Sequence, residues 1–461
     1  MNNHFPPGPP ARGPLGNLPQ IRRDRLGLLV NSVRNYGELV HFRMATRHVV
    51  LLANPEHIRH VFQDNYRNYS KQTPGFKVLR AFLADGLLTN EGDSWFRQRR
   101  IAQPAFHHAR IATFAKTMTT AATELADRWD RDDQVVTNLT AEMMRLTLQI
   151  VGQTLLSTDV TQEADRVGQA LTVALHSANS AVDRLVDIPQ WVPTPANIRL
   201  RRALKALDDV VYEMIRHRRT HTHTTTDLLS ILMDASDEDT GETMSDRQLR
   251  DEVMTIFLAG HETTALALGW IWDLLSKHPV EAQHLRNELA HVLGGQPPDF
   301  DDLPRLTYTT KVIKESMRLY PPAWITSRCA IGADRIAGYN IPPRTIIFAS
   351  PYVTHRLPRL WENPEQFNPE RFSTEQSKGL EPFAYFPFGG GPRQCIGNTF
   401  AMMEMTLVVA TLAQRYRLNV MPGPQAEPAP GITLRSNRPI TVRRELVLPT
   451  TTPVSVSGPI S

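Results

Sequence analysis

Apolar and β-branched residues cluster first in Leu39-Val40-His41-Phe42-Arg43 and again in His48-Val49-Val50-Leu51-Leu52. Two such runs so close together predict a hairpin. Asn54-Pro55-Glu56 follows, with Asn54 placed to cap a helix and Pro55 at its first position. From Ile111 to about Ala235 the apolar positions recur mostly at helical spacing, broken by Pro189, Pro193 and Pro195. Ser245-Asp246-Arg247-Gln248 is a capping box, flanked by Met244 and Leu249 as a hydrophobic staple. The helix it opens runs to Lys277 or His278, where Pro279 stops it. That is about 32 residues, or roughly 48 Å, enough to cross a large domain. Strand patterns return from Ile331 to Ser350, with a turn at Ile341-Pro342-Pro343-Arg344. A last hairpin is predicted from Gly431–Arg435 and Pro439–Val442. The fold class is mainly α, with a smaller β-rich lobe.

The chain has 461 residues, 41% of them hydrophobic, enough for a large core. No linker or repeat divides it. The expected organisation is a Pro-rich arm over 1–20, one domain over 21–447 and a disordered tail over 448–461. The longest apolar stretch, Val253 to Leu275, is interrupted by His261, Glu262, Thr263, Thr264 and Asp273, so no membrane span is expected. The N-terminus has no apolar signal core, which points to a soluble cytoplasmic protein. A net charge of +4 is too small for nucleic-acid binding in a chain this long. The densest basic clusters, Arg22-Arg23-Asp24-Arg25 and Arg97-Gln98-Arg99-Arg100, suit an acidic protein partner better. His217, His221 and His223 lie in a Thr-rich stretch that reads as a polar surface loop.

Only two cysteines are present, Cys329 and Cys395. Zinc and iron–sulfur centres need more ligands than that, whereas one thiolate suffices as the axial ligand of a haem iron. Cys395 stands in Phe388-Gly389-Gly390-Gly391-Pro392-Arg393-Gln394-Cys395-Ile396-Gly397. The glycines allow a tight turn and close approach to a flat cofactor, and Arg393 offers a cation to a propionate. A helix is predicted just after Gly397, so its N-terminus favours the thiolate. Within the long helix, Ala259-Gly260-His261-Glu262-Thr263-Thr264 places Ala259, Gly260 and Thr263 on one face. Small residues there let a flat ligand approach, and Thr263 adds a hydroxyl. Glu262 is offset by about 100° and is placed to pass protons from solvent. Glu315 and Arg318, at i and i+3, can pair, as can Trp95 and Arg99 share a face at i and i+4.

The pattern F-x-x-G-x-R-x-C-x-G fixes five residues, and its chance occurrence in such a chain is on the order of 10⁻⁴. It resembles the haem-binding loop of the cytochrome P-450 family, soluble bacterial type, and the resemblance extends over roughly residues 20 to 445. It implies that family's fold, with the long helix over haem b. It implies Cys395 as the axial ligand, and Phe388, Ala259 and Gly260 against the cofactor. Thr263 and Glu262 match the family's alcohol–acid pair for oxygen activation and proton relay. Trp95, Arg99, Arg328 and Arg393 match its propionate-binding positions. Phe367-Asn368-Pro369-Glu370-Arg371-Phe372 matches its meander motif and adds Arg371 to a buried structural cluster with Glu315 and Arg318. Cys329 matches no role and is read as packing.

The implied activity is a haem-thiolate monooxygenase that inserts one oxygen atom from O₂ into a C–H bond, or a C=C bond, of a hydrophobic small molecule. A fatty acid and a terpenoid both fit. No flavin or nicotinamide pattern follows the cysteine loop, so a separate ferredoxin and ferredoxin reductase, or a similar donor, are expected to supply electrons. A peroxide-driven peroxygenase or an isomerase on the same fold is the alternative, and a non-enzymatic haem sensor a remote one. By position in the family, the substrate-lining residues are Phe76, Phe82 and Leu87, the region from Leu185 to Trp191, Trp324 and Ile325, and Ile432 with Thr433. Arg80 or Lys77 would be the anchor if the substrate carries a carboxylate.

Overall fold

The computed structural model describes residues 5–155, 164–183, 191–220, 227–235, 241 and 243–447. The predicted tail, His221, His223 and the stretch 185–190 lie outside them.

The first hairpin forms as the apolar pattern requires. Leu39–Met44 and Arg47–Leu52 pair antiparallel, with His41 opposite Val50. They open a five-stranded sheet continued by Ile346–Ala349, Thr326–Ala330 and Tyr69–Ser70. The one parallel pairing joins 47–52 to 346–349. Asn54 caps the following helix by accepting from the Glu56 N–H. The N-terminal arm lies along the hairpin: Asn17 donates to the carbonyls of Pro9 and Pro10 and accepts from the Arg43 N–H.

The central helix is Asp246–Lys277, opened by the Ser245/Gln248 capping box with Met244 and Leu249 both buried. Its residues are apolar on nearly every side because it is enclosed. It packs against the helices Leu139–Leu155, Pro195–Thr220, Thr307–Leu319 and Asn398–Arg415. These share one large core, while the β-rich lobe has two smaller ones.

The last predicted hairpin does not form as expected. Leu434–Ser436 pairs instead with Pro428–Pro430. Val442–Leu446 pairs with Tyr416–Val420 and with Val135–Val136. The longer ladder and burial of Val442 and Arg444 on one face outweigh the shorter local pairing. Among the described residues no helix is long and apolar enough to cross a membrane, and no group of three metal-ligating side chains occurs.

Candidate active site

The cysteine loop is built on backbone conformations that glycine alone adopts easily. Gly389 and Gly391 have φ of 69° and 67°. At Gly391 a Cβ would stand 2.0 Å from the Phe62 carbonyl oxygen, so the loop also lies tightly on the chain at Phe62. The Cys395 N–H donates to the Phe388 carbonyl at 3.0 Å, and the Phe388 ring packs against the main core. Gly397 then caps the 398–415 helix. Cys395 has accessible surface on one side and dense protein around the rest. Burial pushes its thiol pKa up, while the Gly397 N–H and the Arg99 cation act in the opposite sense and favour thiolate.

Cations converge beside this loop. Trp95 is buried on the helix Gly92–Ala102, and the Arg393 guanidinium stacks 3.6 Å from its ring centroid. Arg99, one turn on, donates to the Gln394 carbonyl at 2.9 Å. Arg393 also bonds the Asn90 carbonyl at 2.8 Å and lies 3.3 Å from Glu91 Oε1. Arg328 is buried over the Phe62 ring at 4.7 Å. Lys71, which the sequence reading missed, is buried in the same group, its ammonium on the Leu88 carbonyl at 2.7 Å. Burial, then neighbouring arginines, holds Lys71 well below its ordinary pKa. Arg328 is pushed down to about 10 by burial and by Arg393, and Arg393 likewise by burial and by Arg99. Glu91 is the carboxylate facing them. Four cations around one carboxylate favour further anions, and the propionates of haem supply that charge. With an accessible cysteine alongside, the donor set fits haem b.

The central helix has an opening in its middle. Leu258, His261, Glu262 and Thr264 are buried, but Ala259 is exposed and Gly260 and Thr263 partly so. The Thr263 hydroxyl donates back to the Ala259 carbonyl at 2.6 Å, so both polar groups stand at the same opening. Gly260 is half-buried beside this opening. A Cβ there would lie 3.2 Å from Val151 on the 139–155 helix, so its small size also serves helix packing. His261 is buried, its ring bonded to the Phe257 carbonyl at 2.8 Å. Glu262 is buried and accepts from Thr433 Oγ1 at 2.9 Å and from Arg435 Nε at 2.8 Å. Sequence reasoning missed Arg435, because nothing in its local pattern separates it from other surface arginines.

The structural cluster forms. Glu315 and Arg318 are both fully buried and paired bidentately at 2.7 and 2.8 Å. Arg318 also donates to the carbonyls of His355, Pro364 and Gln366. Arg371 stands 3.4 Å from Glu315 Oε1, an ion pair outside good hydrogen-bond alignment. The Asn368 N–H completes the carboxylate's partners at 2.9 Å.

Of the predicted lining residues, Phe82 borders an apolar pocket with Leu79, Leu171, Leu175, Met254 and Leu258. Phe76 is buried beneath Lys71. Leu87 is half-buried, its N–H donating to Glu252 at 3.0 Å. Trp324 is a correction: it is buried in the core of the β-rich lobe, its indole N–H on the Gly431 carbonyl. Ile325 is half-buried against that same core, and Ile432 is half-buried against the main one. Trp191 is 77% exposed. Arg80 donates to the Thr89 carbonyl at 2.6 Å.

Comparison with known proteins agrees with this geometry. The chain is 36% identical to cyclooctatin synthase of Streptomyces melanosporofaciens, over 87% of its own length and 88% of the relative's. It is 34% identical to cyclooctat-9-en-7-ol 5-monooxygenase of the same organism, over 89% and 88%. Pentalenene oxygenase of Streptomyces avermitilis is also 34% identical, over 93% and 94%. The sequence model of the cytochrome P-450 family matches residues 6–442. With a cysteine loop, a helix opening and a cation cluster that suit haem b, the chain belongs to the cytochrome P-450 family and is a monooxygenase.

Proposed function

We propose that this monooxygenase hydroxylates a polycyclic terpenoid, with electrons from a ferredoxin and its reductase. The observation that carries the substrate class is that the chain's relatives are named for cyclooctatin and pentalenene. Haem b, once bound, supplies oxygen activation. Cys395 would ligate it, and Lys71, Arg99, Arg328 and Arg393 with Trp95 would hold its propionates. Thr263 Oγ1, its proton on the Ala259 carbonyl, stands at the helix opening with its lone pairs free to accept a hydrogen bond at the oxygen side, and Glu262 passes a proton toward it. The exposed Arg100, on the helix that bears Trp95 and Arg99, belongs to the face offered to the acidic electron donor.

The test is a screen of haem absorption shifts across polycyclic terpene hydrocarbons, terpene alcohols and fatty acids. Shifts are expected with the terpenoids at far lower concentration than with fatty acids. Tighter binding of the fatty acids would overturn the substrate class.

A further inference from the structure

The central helix stops at Lys277, and Pro279 starts the helix Pro279–Leu293 directly after His278. The helix Asn398–Arg415 likewise runs straight into the strand Tyr416–Val420. The two changes of direction meet, and the Val420 N–H on Ser276 Oγ at 2.7 Å ties them together. Two of the side chains that line this corner, Ala282 and Ala413, are buried yet too small to fill it. A cavity of about 160 Å³ is left between the elements. An apolar cavity of ~150 Å³ holds benzene, so this one has room for a single aromatic ring or a short aliphatic chain.

Its walls are of two kinds. Trp272, Leu275, Leu285 and Leu418 are buried and give it an apolar side. Arg286 and Arg417 line the polar side. Arg286 donates to Gln283 Oε1 at 2.8 Å. Among the described residues neither arginine is in an ion pair, although Glu445 stands across the strand ladder from Arg417. Burial, then the Arg417 charge, pulls the Arg286 pKa down. The Trp272 indole N–H is a third donor, buried and without a hydrogen-bond partner among the described residues. Such a group is unfavourable unless an acceptor reaches it.

We propose that this cavity is a second binding site, for a small organic carboxylate with an aromatic or short aliphatic body. The body lies against Leu275, Leu285 and Leu418. The carboxylate pairs with Arg286 and Arg417, and one of its oxygens takes the Trp272 N–H. The site is separate from the oxygen chemistry. Trp272 follows Thr263 by nine positions, which is about 2.5 turns and so places it on the opposite face of the central helix.

Benzoate is the probe, and benzyl alcohol, of similar shape without the charge, is its control. The haem-loaded, carbon monoxide-ligated protein is isotopically labelled at its tryptophan indole nitrogens and read by NMR. The signal lost in Trp272→Phe is that of Trp272. Benzoate should shift this signal with a dissociation constant of about 1 mM and leave the absorption of the ferric protein unchanged. Removing the probe's charge, Arg286→Gln and Arg417→Gln should each weaken binding about tenfold. Calorimetric titration of the wild type and the two arginine variants reads the same loss without the tryptophan variant. A Trp272 signal unmoved at about 20 mM benzoate, benzyl alcohol bound as tightly as benzoate, or wild-type affinity in both arginine variants would overturn the proposal. So would a benzoate-induced change in ferric absorption with no change at Trp272, which would put the anion at the haem.

Discussion

Glu315 and Glu262 are both buried carboxylates clamped by arginine, yet they are held in different ways. Around Glu315 the cation is as buried as the anion, and Arg318 spends its remaining donors on three backbone carbonyls. Neither partner can leave without abandoning charge in a medium that solvates it poorly. Around Glu262 the cation sits at the solvent edge, on a short hairpin, and every bond falls on one oxygen. Arg435 can exchange the carboxylate for water at modest cost. The same ion-pair chemistry thus gives a fixed joint in one place and an adjustable one in the other. Burial of the arginine decides which. Glu252 extends the series: it is a buried carboxyl on the central helix with no arginine bonded to it, only the Leu87 N–H, and one oxygen without a partner.

Breaking the fixed joint should have the largest effect. Arg318→Ala is expected to cost about 3–5 kcal/mol, because it strands Glu315 in the core. Loss of haem incorporation and a lower denaturation midpoint would register it. A variant that folds with wild-type stability would dissolve the contrast. Thr263→Ala leaves both joints intact and removes the hydroxyl at the helix opening. Product per NADPH should fall on the order of tenfold or more, with the balance appearing as hydrogen peroxide. Unchanged yield would instead favour a peroxide-driven reaction. Arg435→Gln should destabilise by only about 1–2 kcal/mol, given a charge-assisted hydrogen bond screened at the solvent edge. Chemical denaturation measures it, and a loss equal to that of Arg318→Ala would place the two joints in one class.

A pH-dependent effect concerns Glu252. Burial pushes its carboxyl up to about 8, from an ordinary value of 4.5. The folded state therefore binds more protons than the unfolded state between those values, and its contribution to stability falls as pH rises through that window. Glu252→Gln removes this dependence. The melting temperature of the variant relative to wild type should rise from pH 5 to pH 8. A constant difference would mean that Glu252 titrates as it does in water.

Much of the architecture is legible because its signals are local. The 39–52 hairpin, the Asn54 cap and the Ser245 capping box each depend on a few adjacent residues, and each forms. The loop around Cys395 is readable for the same reason. What the sequence hides is pairing across distance. Lys71 gives no local sign that it joins Arg328 and Arg393. Arg435 lies 173 positions from the acid it holds. The packing of Gly260 against Val151 is hidden for the same reason, because a small residue on a helix gives no sign of which neighbouring helix it meets. Trp324 misled because an apolar residue beside a pocket and one in a core look alike in sequence. The final hairpin was mispaired because competition between ladders depends on strands brought in from elsewhere.

The central claim is that Cys395 presents a thiolate to haem iron as the basis of a monooxygenase. Its most direct test is the absorption spectrum of the reduced, carbon monoxide-treated protein. The wild type should show the shifted Soret band from which the family takes its name, and Cys395→His should retain haem but lose that band. A wild-type protein that binds haem without the band, or a Cys395→His variant that keeps it, would contradict the account.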